Sequence, residues 1–237
     1  MFVSLNAVRP YHGCGMCVPY RPKIPRCGRK AAGHVPRLVD HEVRRRHIID
    51  AVRRVIVTGG LEGVTFQTVA AEAGISVRLV QYYFGTKKEF LLATHRSVME
   101  DAGARFMQRW TALGPDAAPR EALRAVLTEL LPLDDRRREE ALVLGAFGWA
   151  AVTSRDITAE ETFAAPRALV MVVADQLGRA RHTDGSSPRN PELDAELVAM
   201  AIGGLAQGML QGYWTADAAV ELVDHLLDRI LGWQTGS

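Results

Sequence analysis

Between Thr65 and Glu89 the chain places polar, basic and aromatic side chains at spacings suited to reading the edges of base pairs. The apolar positions Phe66, Val69, Ala70 and Ala73 step by three and four, with Thr65 as a cap and Gly74 as a left-handed stop, so a short first helix is predicted there. Ser76 caps a second helix whose inner face is Leu79, Val80 and Tyr83, which leaves Val77, Arg78, Gln81 and Tyr82 projecting outward. Two such helices joined by a glycine turn are a helix-turn-helix, and the second presents its outer face to a DNA major groove, where each base pair shows its own donor and acceptor pattern. Gly85 ends that helix, and Thr86 with Glu89 forms a capping box for a long helix starting at Lys87. A helix N-terminus carries free amides and a partial positive charge, so a lysine there makes a phosphate clamp beside the groove reader.

The run Gly74-Ile75-Ser76, then Tyr83-Phe84, then Thr86-Lys87-Lys88-Glu89-Phe90-Leu91 resembles the DNA-binding domain of TetR-family repressors. That resemblance implies an all-helical homodimer released from its operator by a small ligand. It places the DNA contacts on Thr65, Gln67 and Thr68, on Val77, Arg78, Gln81, Tyr82 and Tyr83, and on Lys87, with the caps Ser76 and Thr86 beside them. Arg78 stands where the family usually has a small residue or proline, and Gln81 where it usually has tyrosine, so the operator cannot be borrowed from a relative.

Other chemistries find little support. Asp134-Asp135, Glu139-Glu140 and Glu160-Glu161 are adjacent pairs, and neighbours on a helix point in different directions, so they read as solvated helix-end charges and not as a catalytic pair. There is no His-Glu-x-x-His, no Gly-x-Ser-x-Gly and no dinucleotide-binding glycine pattern, and the seven histidines are scattered. An enzyme is not expected, nor a cofactor. Cys14, Cys17 and Cys27, with His12 or His34, would make a four-ligand zinc set, but a single Cys-x-x-Cys in a segment rich in Pro and Gly matches no common finger, and no metal is expected. Residues 1–36 read instead as a disordered basic extension. Val35-Pro36-Arg37-Leu38-Val39-Asp40 resembles the opening residues of many family members, which points to a true start at Val35, with residues 1–34 dispensable.

The elements that must position the motif follow from periodicity. A helix over about 40–58, with Ile48, Val52, Val55 and Ile56 inside, braces it. After the long helix to about Thr111, further helices are predicted at about 120–131, 135–153, 156–181, 191–211 and 217–231. The total is about nine helices and no strand. The predicted organisation is the extension 1–36, a DNA-binding domain over 37–88, and a ligand-binding and dimerisation bundle over 89–237. Gly204, Gly208 and Gly212 recur every fourth residue and remove side chains from one helix face, at a cost of about 1 kcal/mol each in helix propensity, so close approach of another helix or a ligand groove is expected there. With the stripe Val223, Leu226, Leu227 and Ile230 on the final helix they look like the pair through which TetR-family protomers dimerise. Leu123 to Phe147 also looks like the C-terminal domain of the betaine-regulator-type (BetI-like) subgroup. By the same resemblance Trp110, Phe147 and Met171 are expected to line the effector pocket.

The net charge of +2 hides a segregation. Residues 1–36 hold six basic and no acidic residues, residues 37–88 nine basic and five acidic, and the remainder 14 basic against 22 acidic. A basic head on an acidic body suits a protein that touches DNA at one end. No apolar stretch is judged long enough to cross a membrane, the nearest being Leu197 to Leu210, and residues 1–8 are too short for a secretory signal, so a soluble cytoplasmic protein is expected. The function expected is that of a homodimeric, ligand-responsive repressor whose partners are a palindromic operator, a small molecule and a second copy of the chain. The alternative is a helical enzyme or small-molecule carrier with a vestigial helix-turn-helix.

Overall fold

A computed structural model describes residues 37–114, 116–153, 157–162, 164–184 and 190–231. The cysteine set, the start at Val35 and the basic extension 1–36 lie outside the described residues. Arg37–Ser237 is one compact unit. Its helices are α1 (Arg37–Gly59), α2 (Phe66–Ala73), α3 (Val77–Tyr83), α4 (Lys87–Leu113), α5 (Pro119–Glu129), α6 (Asp135–Thr153), α7 (Ala159–Thr162), α8 (Ala164–Asp184), α9 (Pro191–Leu210) and α10 (Ala216–Leu231), with no strand among the described residues. The all-helical architecture is the expected one. The helix predicted over 156–181 differs, since the single turn α7 precedes α8 there.

Local chemistry sets most of the ends. Thr65 accepts from the Thr68 amide while the Thr68 hydroxyl accepts from the Thr65 amide, a reciprocal box that opens α2, and Gly74 closes it at φ 64°. Ser76 Oγ accepts from the Leu79 amide at the start of α3. At α4 the Thr86 hydroxyl accepts from the Glu89 amide as expected, but Glu89 reaches back to the amide of Gly85 at 3.0 Å and not to that of Thr86. The recognition helix α3 ends at Tyr83 with Phe84 as its cap, one residue before the expected glycine.

Two cores result. The first joins Ile48, Val52, Val64, Val69, Val80, Phe84 and Phe90 of the N-terminal helices and their connections to Val143, Phe147 and Ala150 of α6, so it does not stop at position 88. The second packs Leu123 and Leu127 of α5, Val173 and Leu177 of α8, Val198 and Ile202 of α9, and Val223 and Leu227 of α10. Ionic contacts lie between them: Arg53 of α1 meets Asp101 of α4 at 2.9 Å, and Arg105 of α4 holds both Glu129 of α5 and the buried Glu140 of α6. Arg120 and Arg124 clamp α5 to Asp224 and Asp228 of α10.

One expectation about membranes is corrected. By length and composition α9 is apolar enough to cross a bilayer, with a window of mean hydropathy 1.3, because its leucines, methionines and alanines outweigh the interrupting Gln207 and glycines. Ala195, Val198, Ile202, Leu205 and Met209 form its buried face within the second core, and polar Glu192, Asp194 and Glu196 open the helix.

Candidate nucleic-acid interface and cavities of the body

The sequence of α3 folds so that Val80 is fully buried and Val77, Leu79 and Tyr83 are half-buried, which turns Arg78, Gln81 and Tyr82 out to solvent. Tyr82 is 74% exposed. Gln67 and Thr68 of α2 and Thr65 before it are exposed beside them, as are Thr86 and Lys87 at the start of α4. These positions come together on one end of the molecule, since α1, α2 and α3 pack on one another around the first core. Within the set the roles divide. The hydroxyls of Thr65, Thr68, Ser76 and Thr86 are engaged in capping, so they fix where helix N-termini and their amides point. Gln67, Arg78, Gln81 and Tyr82 offer exposed ends with the chemistry of groove readers, a guanidinium and amides for base edges and an aromatic face for a thymine methyl.

Three expected contacts sit differently from a simple outward list. Val77 packs against the first core, as does Tyr83, whose ring lies 4.6 Å from that of His41 and 5.3 Å, edge-on, from that of Tyr82. Lys87 Nζ donates to the Leu61 carbonyl at 3.3 Å, which holds the ammonium near the turn between α1 and α2. The sequence did not point to Arg45. Its guanidinium donates to the Tyr83 carbonyl at 3.2 Å and lies 4.2 Å from the Phe84 ring centre, so a cation stands at the C-terminal end of α3, where the helix dipole favours one. Arg45 was legible only as one of an arginine run on α1; its reach over 38 positions was not.

In the body the structure separates the three residues expected around a pocket. Phe147 is fully buried in the first core, where His95 meets it edge-on at 5.0 Å, and burial holds the His95 imidazole below its usual range. Met171 is 68% exposed on α8. Trp110 is half-buried and lines a cavity of about 130 Å³ with Leu113, Gly114, Ala117, Ala122, Gln176 and Arg179.

The expected dimer set also divides. Val223 and Leu227 are fully buried inside the second core, with Leu226 and Ile230 half-buried against it. Gly204 is exposed with open space where a Cβ would stand, Gly212 is a left-handed residue at φ 78° after α9, and Gly208 faces the indole of Trp214 of the same chain. A Cβ on Gly208 would lie 2.7 Å from Trp214 Cδ1. Beside these, Leu197, Met200 and Leu222 are exposed, and an apolar groove of about 660 Å³ runs between α9 and α10, lined by Ala201, Leu205, Trp214, Leu222, His225 and Leu226 among others.

Comparison with known proteins agrees with this geometry. Residues 48–94 match the family described as bacterial regulatory proteins, tetR family, and residues 119–232 match the BetI-type transcriptional repressor, C-terminal, family. The chain is 32% identical over 123 residues to the HTH-type transcriptional regulator PksA of Bacillus subtilis, covering 52% of this chain and 58% of that one. It is 42% identical over 93 residues to the regulator BetI of Burkholderia ambifaria, covering 39% of this chain and 47% of that one. The chain thus spans about half the length of the curated relatives it matches. A transcriptional regulator from Rhodococcus sp. Rha1 superposes with a TM-score of 0.67 at 26% identity, covering 79% of this chain and 96% of that one. These relatives are named as regulators of transcription and not as enzymes. With both its helix-turn-helix and its C-terminal bundle matched, the chain belongs to the TetR family.

Proposed function

We propose that the protein is a cytoplasmic transcriptional repressor that binds a palindromic operator as a homodimer and leaves it when a small molecule occupies the body. The observation that carries this reading is the exposed row of Gln67, Arg78, Gln81 and Tyr82 on a capped helix-turn-helix at the basic end of an otherwise acidic chain. Residues 37–88 are proposed to supply the DNA contacts, and residues 89–237 the effector site and the second protomer's docking face. One helix-turn-helix covers a half-site, so useful affinity calls for a second copy whose recognition helix sits about 34 to 36 Å away, one turn of duplex. The exposed Leu197, Met200, Gly204 and Leu222, with half-buried Leu226 and Ile230, support α9 and α10 as that face, since monomers rarely leave so much contiguous apolar surface open.

Effector release requires a ligand that binds the spacing incompatible with DNA more tightly, with a coupling typically about 1–3 kcal/mol. The decisive experiment is fluorescence anisotropy of duplexes carrying inverted repeats from the DNA adjoining the gene, read across a salt series. A steep salt dependence with strong preference for one repeat, and one dimer per duplex, is expected. Binding that ignores sequence, or no binding, would favour the helical carrier with a vestigial motif.

A further inference from the structure

We propose that the cavity at the end of α4 seats a compact, uncharged molecule that donates a hydrogen bond to Gln176 Oε1, a proposal that deepens the effector reading above and rests on it. Gln176 is 2% exposed and lines the cavity, and no donor among the described residues reaches its Oε1. The two ends of the amide are told apart by their surroundings: Nε2 donates to Asp175 Oδ2 at 3.1 Å, and the reversed amide would set oxygen against carboxylate. The oxygen is therefore the unpartnered end of a buried side chain that lines the cavity. A buried acceptor without a donor carries its full desolvation cost, which a ligand O–H or N–H recovers.

The rest of the lining narrows the ligand further. The volume of about 130 Å³ limits the occupant to about the size of one small ring, since a cavity of roughly 150 Å³ takes up benzene. Trp110, stacked on Phe106 with ring centres 6.0 Å apart and planes 13° off parallel, gives a flat apolar wall, and Leu113, Ala117 and Ala122 complete it. A carboxylate ligand offers acceptors alone and would meet the lone pairs of Oε1. Among the described lining residues a cation finds no carboxylate, the one charged member there being Arg179, and a single indole is not an aromatic cage. What fits is a neutral molecule with an apolar ring or branch and one donor.

Phenol, toluene and tetramethylammonium test this by calorimetric titration of the full chain without DNA. Phenol and toluene have the same shape and differ in the O–H. Phenol is expected to bind about tenfold tighter than toluene or better, and tetramethylammonium not to compete. Gln176→Leu, checked for native circular dichroism, is expected to abolish the difference. The wild-type comparison stands even if that variant fails to fold. Equal binding of phenol and toluene, tighter binding of tetramethylammonium, or no binding of any probe overturns the proposal. Operator release is read separately: phenol bound without release leaves the cavity site standing and removes the effector role, whereas release by a ligand that neither competes with phenol nor senses Gln176→Leu leaves the effector reading and overturns this site as its seat.

Discussion

Arg105 of α4 grips the Glu140 carboxylate of α6 with both terminal guanidinium nitrogens, and its Nε donates to Glu129 of α5 at 3.1 Å. Glu140 is 4% exposed, and one guanidinium held between two carboxylates ties three helices together. The carboxylates raise the Arg105 pKa above its ordinary value, the hydrogen bonds to Glu140 contributing most. Removing one partner of such a pair leaves the other desolvated and unpaired. Arg105→Ala is expected to cost about 3 kcal/mol, the low end of the usual range because Arg136 also donates to Glu140 at 3.2 Å. Replacing both partners with Met and Leu is expected to recover most of that loss. Urea unfolding of the single and double variants checks it, and a double variant no better than Arg105→Ala would refute it.

On DNA, Lys87 and Arg78 are expected to separate cleanly. Lys87→Ala should weaken all duplexes by similar factors and lower the salt slope by about one, as loss of one phosphate contact does. Arg78→Ala should cost about 1–3 kcal/mol on the preferred base at one position per half-site and leave non-specific binding nearly unchanged. Anisotropy titrations on operator variants at several salt concentrations tell the two apart, and a uniform loss from Arg78→Ala would move that residue to the phosphate class.

Gly208 and Trp214 supply a test of the turn between α9 and α10. Gly208→Ala gains about 1 kcal/mol of helix propensity but sets a methyl 2.7 Å from the indole, and overpacking costs about 1–3 kcal/mol, so a net loss is expected. In a Trp214→Ala background the same substitution should stabilise. A change of sign between the backgrounds, measured by thermal unfolding, is the expected signature; the same sign in both would show that the indole yields freely. The bulkier Gly208→Leu, if the turn is displaced, should also yield a helical monomer by sedimentation that keeps weak affinity for any duplex and loses its operator.

The His95 imidazole is held below its ordinary 6.5 by burial, so the fold favours the neutral ring. Its contribution to stability is intact above the unfolded value and is lost as the pH falls from there through the lower folded value. His95→Phe, which keeps an aromatic edge against Phe147, should therefore lose less stability than wild type between about pH 7.5 and about pH 5.5. Denaturant midpoints at the two pH values decide it, and identical falls in both proteins would assign the pH dependence elsewhere.

The sequence alone determined most of the helices and their caps, because those are settled within a few residues of one another. Thr65, Ser76 and Thr86 cap backbone amides three positions on, Gly74 takes the left-handed turn, and Pro191 follows Asn190 into α9, all through contacts that any isolated segment of these residues could begin to form. The outward row Arg78, Gln81 and Tyr82 was legible for the same reason, since a period of 3.6 residues separates faces. Periodicity does not say what a face meets. It gave no reason to bury Phe147 and expose Met171, to turn Val223 and Leu227 inward, or to lay Trp214 on Gly208. Arg105 meets Glu140 across 35 positions, Arg45 meets Tyr83 across 38, and Gln176 and Trp110 line one cavity between α4, α5 and α8. Those pairings belong to tertiary structure, because they exist only once helices distant in the chain have packed, and the desolvation that gives them their energy is created by that packing.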